Sequence, residues 1–344
     1  MKITQVMLAK GFGGAERHFV DLSLSLAEKG YRIQAICHQA FSHQSALRAH
    51  PNIAVTRFNV LAAWDPLARY RIRQAIAGFG PDVIHAHLAR GALMGGAAAR
   101  ALGIPAVVNL HNYIDLKYYA NISAFIAATE DQKNYLLAHG INTQKITVMP
   151  HFSRLAATTP SPLPEDRPVR FIALGRMVKK KGFDVLIEAF REFLTSGHDG
   201  RLIIGGDGPE RIRLQALAAH PALAKKIEFA GWVDDIAGFL SRGDVFVLPS
   251  LDEPFGIVVL EAMASGRPII TTRTQGPITI LNDRTACFAD IGDAAAITQA
   301  MQTMVQDKPG TMRRAEAASL LYQSTYCADA VVPQVEAIYR QLAG

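Results

Sequence analysis

The chain is poor in cysteine, in long apolar runs and, over its first half, in acidic residues. Three cysteines in 344 residues, Cys37, Cys287 and Cys327, are odd in number and show neither CxxC nor Cys/His spacing. That argues against a disulfide framework or a zinc site and fits a reducing compartment. No apolar stretch approaches the roughly 20 residues that span a bilayer. The most apolar windows, 245–248 and 257–260, are short and bounded by turn signals. Met1-Lys2 leads straight into the apolar 3–8, without the basic–apolar–small order of a secretory leader. Asn121-Ile122-Ser123 has the form of a glycosylation sequon, which means nothing in a cytosolic chain. The expected location is the cytoplasm, with peripheral attachment to the inner face of the cell membrane open to it.

Residues 1–154 hold 16 Lys/Arg against 8 Asp/Glu, a balance of +8; the whole chain is +6, so the remainder is −2. A basic first half suits an anionic partner such as an anionic lipid surface or a phosphorylated glycolipid. Nucleic acid fits less well and is not expected, because the basic residues are scattered rather than run together with aromatics. A solvated surface explains the same charge equally simply.

What is present is a soluble composition, 49% hydrophobic and 19% charged, at a length that fits two domains. The first half alternates strand-like runs at 3–8, 32–37, 53–58, 83–85, 106–110, 124–127 and 146–149 with helical patterns such as 67–79, 88–102 and 130–139. The polar, proline-rich Thr158-Thr159-Pro160-Ser161-Pro162-Leu163-Pro164 cannot continue a helix or a central strand and reads as a linker. The rhythm then restarts, with strands at 169–174, 201–204, 227–229, 245–248 and 269–272, and helices to the end. The expected fold class is α/β, two Rossmann-like domains each built on a parallel sheet. Sites in such sheets lie beyond the carboxyl ends of the strands. Gly13-Gly14, His111, Gly175-Arg176, Gly205-Gly206-Asp207-Gly208 and Glu253 all fall there.

Glu253 and Glu261 are eight positions apart, with Gly256 allowing a sharp turn between them. Glu261 lies among Val258, Val259, Leu260, Ala262 and Met263, where a carboxylate must be hydrated or paired. Vicinal ribose hydroxyls would serve as a two-donor partner; an exposed helix glutamate is the bland alternative. His85 and His87 share a strand face but lack a third ligand, so acceptor-side lining or core is expected there and no metal. Asp234-Asp235, before a helix, reads as N-terminal capping. Gly11-x-Gly13-Gly14 is not GxGxxG, because Glu16 stands where the third glycine belongs, so NAD is not expected.

The segment from Leu248 to Gly266 resembles the E-x7-E signature of the family-4 glycosyltransferases, which have the GT-B fold, and the resemblance runs along nearly the whole chain. Gly13-Gly14-Ala15-Glu16-Arg17 is similar to that family's first glycine loop, and Leu174-Gly175-Arg176 with Lys181-Gly182 to its donor-phosphate motif. Gly205-Gly206-Asp207-Gly208-Pro209 and Phe229-Ala230-Gly231-Trp232 are similar to the two segments that follow. The resemblance implies two domains facing across a cleft: 1–155 on the acceptor side, a 156–168 linker, 169–325 binding the nucleotide sugar, and a 326–344 helix crossing back.

It also implies roles. Arg176 and Lys181 would meet the departing diphosphate, Glu253 the donor sugar, Glu261 the ribose, and His111 the sugar from the other domain. Gly13, Gly14, Gly175 and Gly206 would let backbone approach the donor closely, and Phe255, Gly256, Ile257 and Val258 would present the turn and its amides. The expected activity is metal-independent, cofactor-free, configuration-retaining transfer from a UDP- or GDP-linked sugar to a glycan or lipid-linked acceptor in cell-envelope polysaccharide or lipopolysaccharide assembly. A nucleotide-sugar epimerase or hydrolase, and a non-catalytic nucleotide-sugar-binding protein, are the alternatives. Three places depart from the family pattern. Gln275-Gly276-Pro277-Ile278-Thr279 lacks the usual acid, Ala286 replaces a common glycine, and Met149-Pro150-His151-Phe152 replaces a common Asn-Gly turn.

Overall fold

A computed structural model describes every residue except Phe12, Ala63 and Ile114. The chain divides into two compact units, one of residues 1–154 with 328–344 and one of residues 155–327.

The first unit is built on β1 (Lys2–Met7), β2 (Arg32–His38), β3 (Ile53–Phe58), β4 (Val83–His87), β5 (Ala106–Leu110), β6 (Ala124–Ala127) and β7 (Ile146–Val148). They form one parallel sheet in the order β3-β2-β1-β4-β5-β6-β7. Its central strands β1, β4 and β5 are buried along nearly their whole length because helices cover both faces. Along β1 the two-residue period sends Ile3 and Met7 into one core, with Phe19, Leu22, Val331, Val335 and Tyr339. Val6 points into the other, with Ile36, Ile72, Ile84 and Met94. The last helix, Ala328–Ala343, belongs to this unit and contributes Val331, Val332, Val335 and Tyr339 to its core.

The second unit is built on β8 (Val169–Leu174), β9 (Gly200–Gly205), β10 (Ile227–Gly231), β11 (Val245–Leu248), β12 (Ile269–Thr272) and β13 (Cys287–Ala289). The order is β10-β9-β8-β11-β12-β13, again all parallel. Both sheets therefore have the doubly wound arrangement, in which the chain reverses its direction of travel across the sheet at the first strand. The switch points fall between β1 and β4 and between β8 and β11.

The proline-rich 156–168, expected as a linker, is held on the second unit. The Thr158 N–H donates to the Ala264 carbonyl at 2.7 Å, and Leu163 is buried in that unit's core. Proline bars the segment from a ladder but not from lying extended against a packed surface. Two short elements carried too little pattern to be read from the sequence: the six-residue helix Gln44–Ala49 and the three-residue β13.

Candidate active site

The second unit's switch point is built from loops that touch through missing side chains. After β8 the chain runs through Gly175 and Arg176, where the Gly175 N–H donates to the Gly205 carbonyl at 3.1 Å and the Met177 N–H to the Asp207 carbonyl at 2.8 Å. A Cβ on Gly206, whose φ is +118°, would lie 1.9 Å from the Gly175 carbonyl oxygen. Only glycine lets the loops after β8 and β9 meet. Gly182 does the same for the next pair of loops. Its φ is +63°, a Cβ there would stand 2.1 Å from the Pro249 carbonyl oxygen, and the Leu251 N–H donates to the Lys180 carbonyl at 2.7 Å.

That contact joins Lys181 to Glu253. The Lys181 ammonium and the Glu253 carboxylate form an ion pair, with side chains only 16% and 10% exposed. Ser250 Oγ donates weakly to the same carboxylate oxygen at 3.4 Å, and the Gly276 N–H donates to the Glu253 carbonyl at 2.8 Å. Gly256 then opens the helix Ile257–Ala264 with no side-chain cap. The amides of Ile257 and Val258 have no acceptor within the helix and are available to a ligand. Phe255 is buried beside the turn, and Glu261 is 4% exposed inside the helix. Arg176 is exposed, and its guanidinium makes no hydrogen bond or ion pair among the described residues. Lys179 is exposed and Lys180 pairs with exposed Asp252, so neither competes for the site. Asp235 accepts from the Gly238 N–H at 2.9 Å, a helix cap.

The structure thus gathers Lys181, Glu253, Gly175, Gly206 and Gly256 on adjoining loops, with Arg176 and the helix bearing Glu261 beside them. His111, Gly13 and Gly14 lie in the first unit. Gly13 and Gly14 are exposed where the 15-residue helix Gly14–Glu28 begins, and Gly13 caps it without a side-chain bond, so its first amides are open to a ligand. His111 follows β5 and is partly buried.

The protein matches known sequences over most of its length. Residues 168–307 match the family model described as Glycosyl transferases group 1, and residues 12–156 match Glycosyltransferase Family 4. The lipopolysaccharide core biosynthesis glycosyltransferase LpsD of Rhizobium meliloti is 31% identical over 89% of this chain and 88% of its own. LpsE of the same organism is 32% identical over 92% of each. The chain is a family-4 glycosyltransferase. A crystal structure of Anabaena HepE in complex with UDP and glucose superposes on it with a TM-score of 0.84 over 99% of each chain, at 20% identity. That likeness confirms the two-domain fold.

This glycosyltransferase also contains a cluster that no spacing foretold. His85 and His87 stack with ring centroids 4.6 Å apart, His87 and His111 at 5.4 Å, and His111 and His151 at 4.8 Å, while His18 meets His151 at 4.5 Å with the rings tilted by 52°. The sequence expectation of lining or core for His85 and His87 resolves to core, as both are fully buried. Burial holds all five rings neutral. It lowers His85 and His151 to about 3 and carries His18, His87 and His111 well below the usual imidazole range, with neighbouring histidines adding to the effect in those three. Among the described residues no three side chains are arranged to hold a metal ion. His18 and His151 were not singled out from sequence. Their one signal was position, His18 in the helix that opens after β1 and His151 just beyond β7.

Proposed function

We propose that the protein transfers a sugar, with retention of anomeric configuration, from a UDP- or GDP-linked donor to a sugar hydroxyl of a lipid-linked or lipopolysaccharide acceptor in cell-envelope assembly. The observation that carries this is a grouping in the second unit: Lys181 paired with Glu253, exposed Arg176, and an uncapped helix start at Gly256, all at one switch point, an arrangement suited to a diphosphate. The acceptor class rests on the two relatives aligned over most of their length, both named for lipopolysaccharide core biosynthesis. The basic first half suits an acceptor held at an anionic surface.

In the reaction the bond between the anomeric carbon and the diphosphate oxygen breaks, and a bond from that carbon to the acceptor oxygen forms. The acceptor proton passes to the departing phosphate oxygen on the same face, so no enzymic base is required. Arg176 offers planar paired donors and Lys181 a point cation to the charge that grows on the leaving group. A fixed donor aimed at such charge contributes about 3 kcal/mol. Glu261 would accept from the ribose hydroxyls, Glu253 from donor-sugar hydroxyls, and His111 would bind the sugar from the first unit.

Turnover with a panel of UDP-, GDP- and ADP-sugars, with and without truncated lipopolysaccharide core, tests the reading. Expected is acceptor-dependent release of nucleoside diphosphate with one base preferred, and an axial linkage from an axial donor. Donor turnover at the same rate without acceptor makes the protein a hydrolase or epimerase, and tight donor binding with no product makes it a binding protein.

A further inference from the structure

The buried polar groups of the first unit are joined end to end, and the join has a direction. Gln5 Nε2 donates to the Tyr339 hydroxyl at 3.3 Å, which leaves Gln5 Oε1 as the partner of His87 Nε2 at 2.7 Å. An amide oxygen only accepts, so the proton of His87 is on Nε2. A neutral ring then has a bare Nδ1, and the atom 3.1 Å from it, His111 Nε2, must donate. In the other direction the Tyr339 hydroxyl, already accepting from Gln5, donates to His85 Nδ1 at 2.5 Å. His85 Nε2 donates to Asn109 Oδ1 at 2.5 Å, and Asn109 Nδ2 donates to His18 Nε2 at 3.2 Å. Seven side chains, two of them from β4 and the rest from five other places in the unit, form one directed chain that begins at His111 and ends at His18.

The direction fixes what His111 has left. Its Nε2–H is committed to His87, and its Nδ1 makes no hydrogen bond among the described residues. We infer that His87, Gln5 and Tyr339 are positioning residues that hold His111 as the Nε2–H tautomer, so that it meets the donor sugar with an Nδ1 lone pair and selects a hydroxyl that donates to it. This deepens the proposed function, since it rests on His111 facing the sugar. It gives the last helix a task beyond packing: Tyr339 carries the one hydroxyl that both accepts from Gln5 and donates to His85. Without it the Gln5 amide loses the partner that orients it. Turning both amides over would reverse every bond and make His111 a donor instead, so polarity is the quantity to measure.

The full chain, labelled with 15N in histidine, reports tautomers directly through the shifts of the two ring nitrogens. The His111 resonances are assigned by their loss in His111→Gln. The wild type is expected to show His111 with a bare Nδ1. Tyr339→Phe is expected to give a mixture of tautomers and to lower kcat/KM on the order of tenfold, the effect of about one misplaced hydrogen bond. Gln5→Glu, which still presents an acceptor to His87, is expected to keep the His111 tautomer, and Gln5→Met to lose it. An Nδ1–H tautomer in the wild type overturns the inference, as does an unchanged tautomer in Tyr339→Phe. These readings need no substrate. A wild type with the expected tautomer and no acceptor-dependent transfer would refute the proposed function and leave the tautomer assignment standing.

Discussion

Acid should unfold the first unit before the second, and the histidine cluster sets by how much. Each of His18, His85, His87, His111 and His151 is held neutral in the folded chain, with His85 and His151 near 3 and the others well below the ordinary value. An unfolded histidine titrates near 6.5, so on falling pH the unfolded chain binds the protons first. Stability is therefore full above about pH 7.5 and drains as pH falls through 6.5 towards the folded values. At pH 5 each ring costs about 2 kcal/mol, and five cost roughly 10 kcal/mol, against a total stability of about 5–15 kcal/mol for a domain. Asp21 works the other way. Burial raises its carboxyl to about 6, so the folded state takes up its proton first and regains roughly 1 kcal/mol at pH 5. The balance predicts loss of the first unit near pH 5. Hydrogen exchange resolved to peptides, run from pH 7.5 to 4.5 and corrected for the intrinsic rate, is the assay. Protection should collapse in Lys2–Met7 and Val83–His87 while Val245–Leu248 keeps its own. Replacing His151 by Phe should flatten the dependence by about one proton. Equal protection of the first unit at pH 7.5 and pH 5 would refute the reasoning.

Gly206→Ala should force the Gly175 carbonyl back by more than about 1 Å and, through misplacement of Arg176, lower kcat/KM about a hundredfold. Gly30→Ala, at φ +89° with nothing within 4 Å of the new Cβ, should cost only about 1 kcal/mol in a melt and leave turnover unchanged. Lys181→Met should destabilise by about 2–4 kcal/mol, because it strands a mostly buried Glu253 carboxylate, and adding Glu253→Gln should restore most of the melting temperature but none of the transfer rate. Arg176→Met should leave the unfolding free energy within about 1 kcal/mol of wild type, since the side chain is exposed, while kcat falls on the order of a hundredfold; an unaltered kcat would remove Arg176 from the leaving-group site.

The fold was legible because both sheets are strongly periodic. Val245–Leu248 is an apolar run ended by turn residues, and Ile3–Met7 is one but for Thr4 and Gln5; runs of that kind admit little but a doubly covered parallel sheet. The loops at the second unit's switch point were legible for a second reason. Gly206 and Gly182 are required by backbone geometry, so the glycines themselves mark where the loops meet. Lys181 and Glu253 lie far apart in sequence, yet each sits at a fixed offset from its strand end, and the sheet brings the two ends together. The histidine chain had no such handle. Its members come from β1, the helix Gly14–Glu28, β4, β5, the turn after β5 and the last helix, and nothing local links Gln5 to Tyr339, 334 residues away. Leu163 misled for the opposite reason, since proline-rich composition rules out regular structure but says nothing about whether the segment packs.

On the proposed function the two units answer different chemical demands, and their electrostatics follow. A diphosphate needs cations, and a cation in a largely desolvated site needs a counter-charge until the ligand arrives; Glu253 supplies one to Lys181 and in doing so fixes both side chains in place. Sugar hydroxyls need partners whose donor and acceptor sense is fixed, and a charged imidazolium offers only donors. An imidazolium would also bind donor phosphate in the ground state as readily as in the transition state, which tightens KM without raising kcat. Keeping the imidazoles neutral by burial avoids both outcomes. The sensitivity to acid is then the cost of that neutrality, because the same burial that stops His111 from taking a proton obliges the fold to yield when protons become abundant.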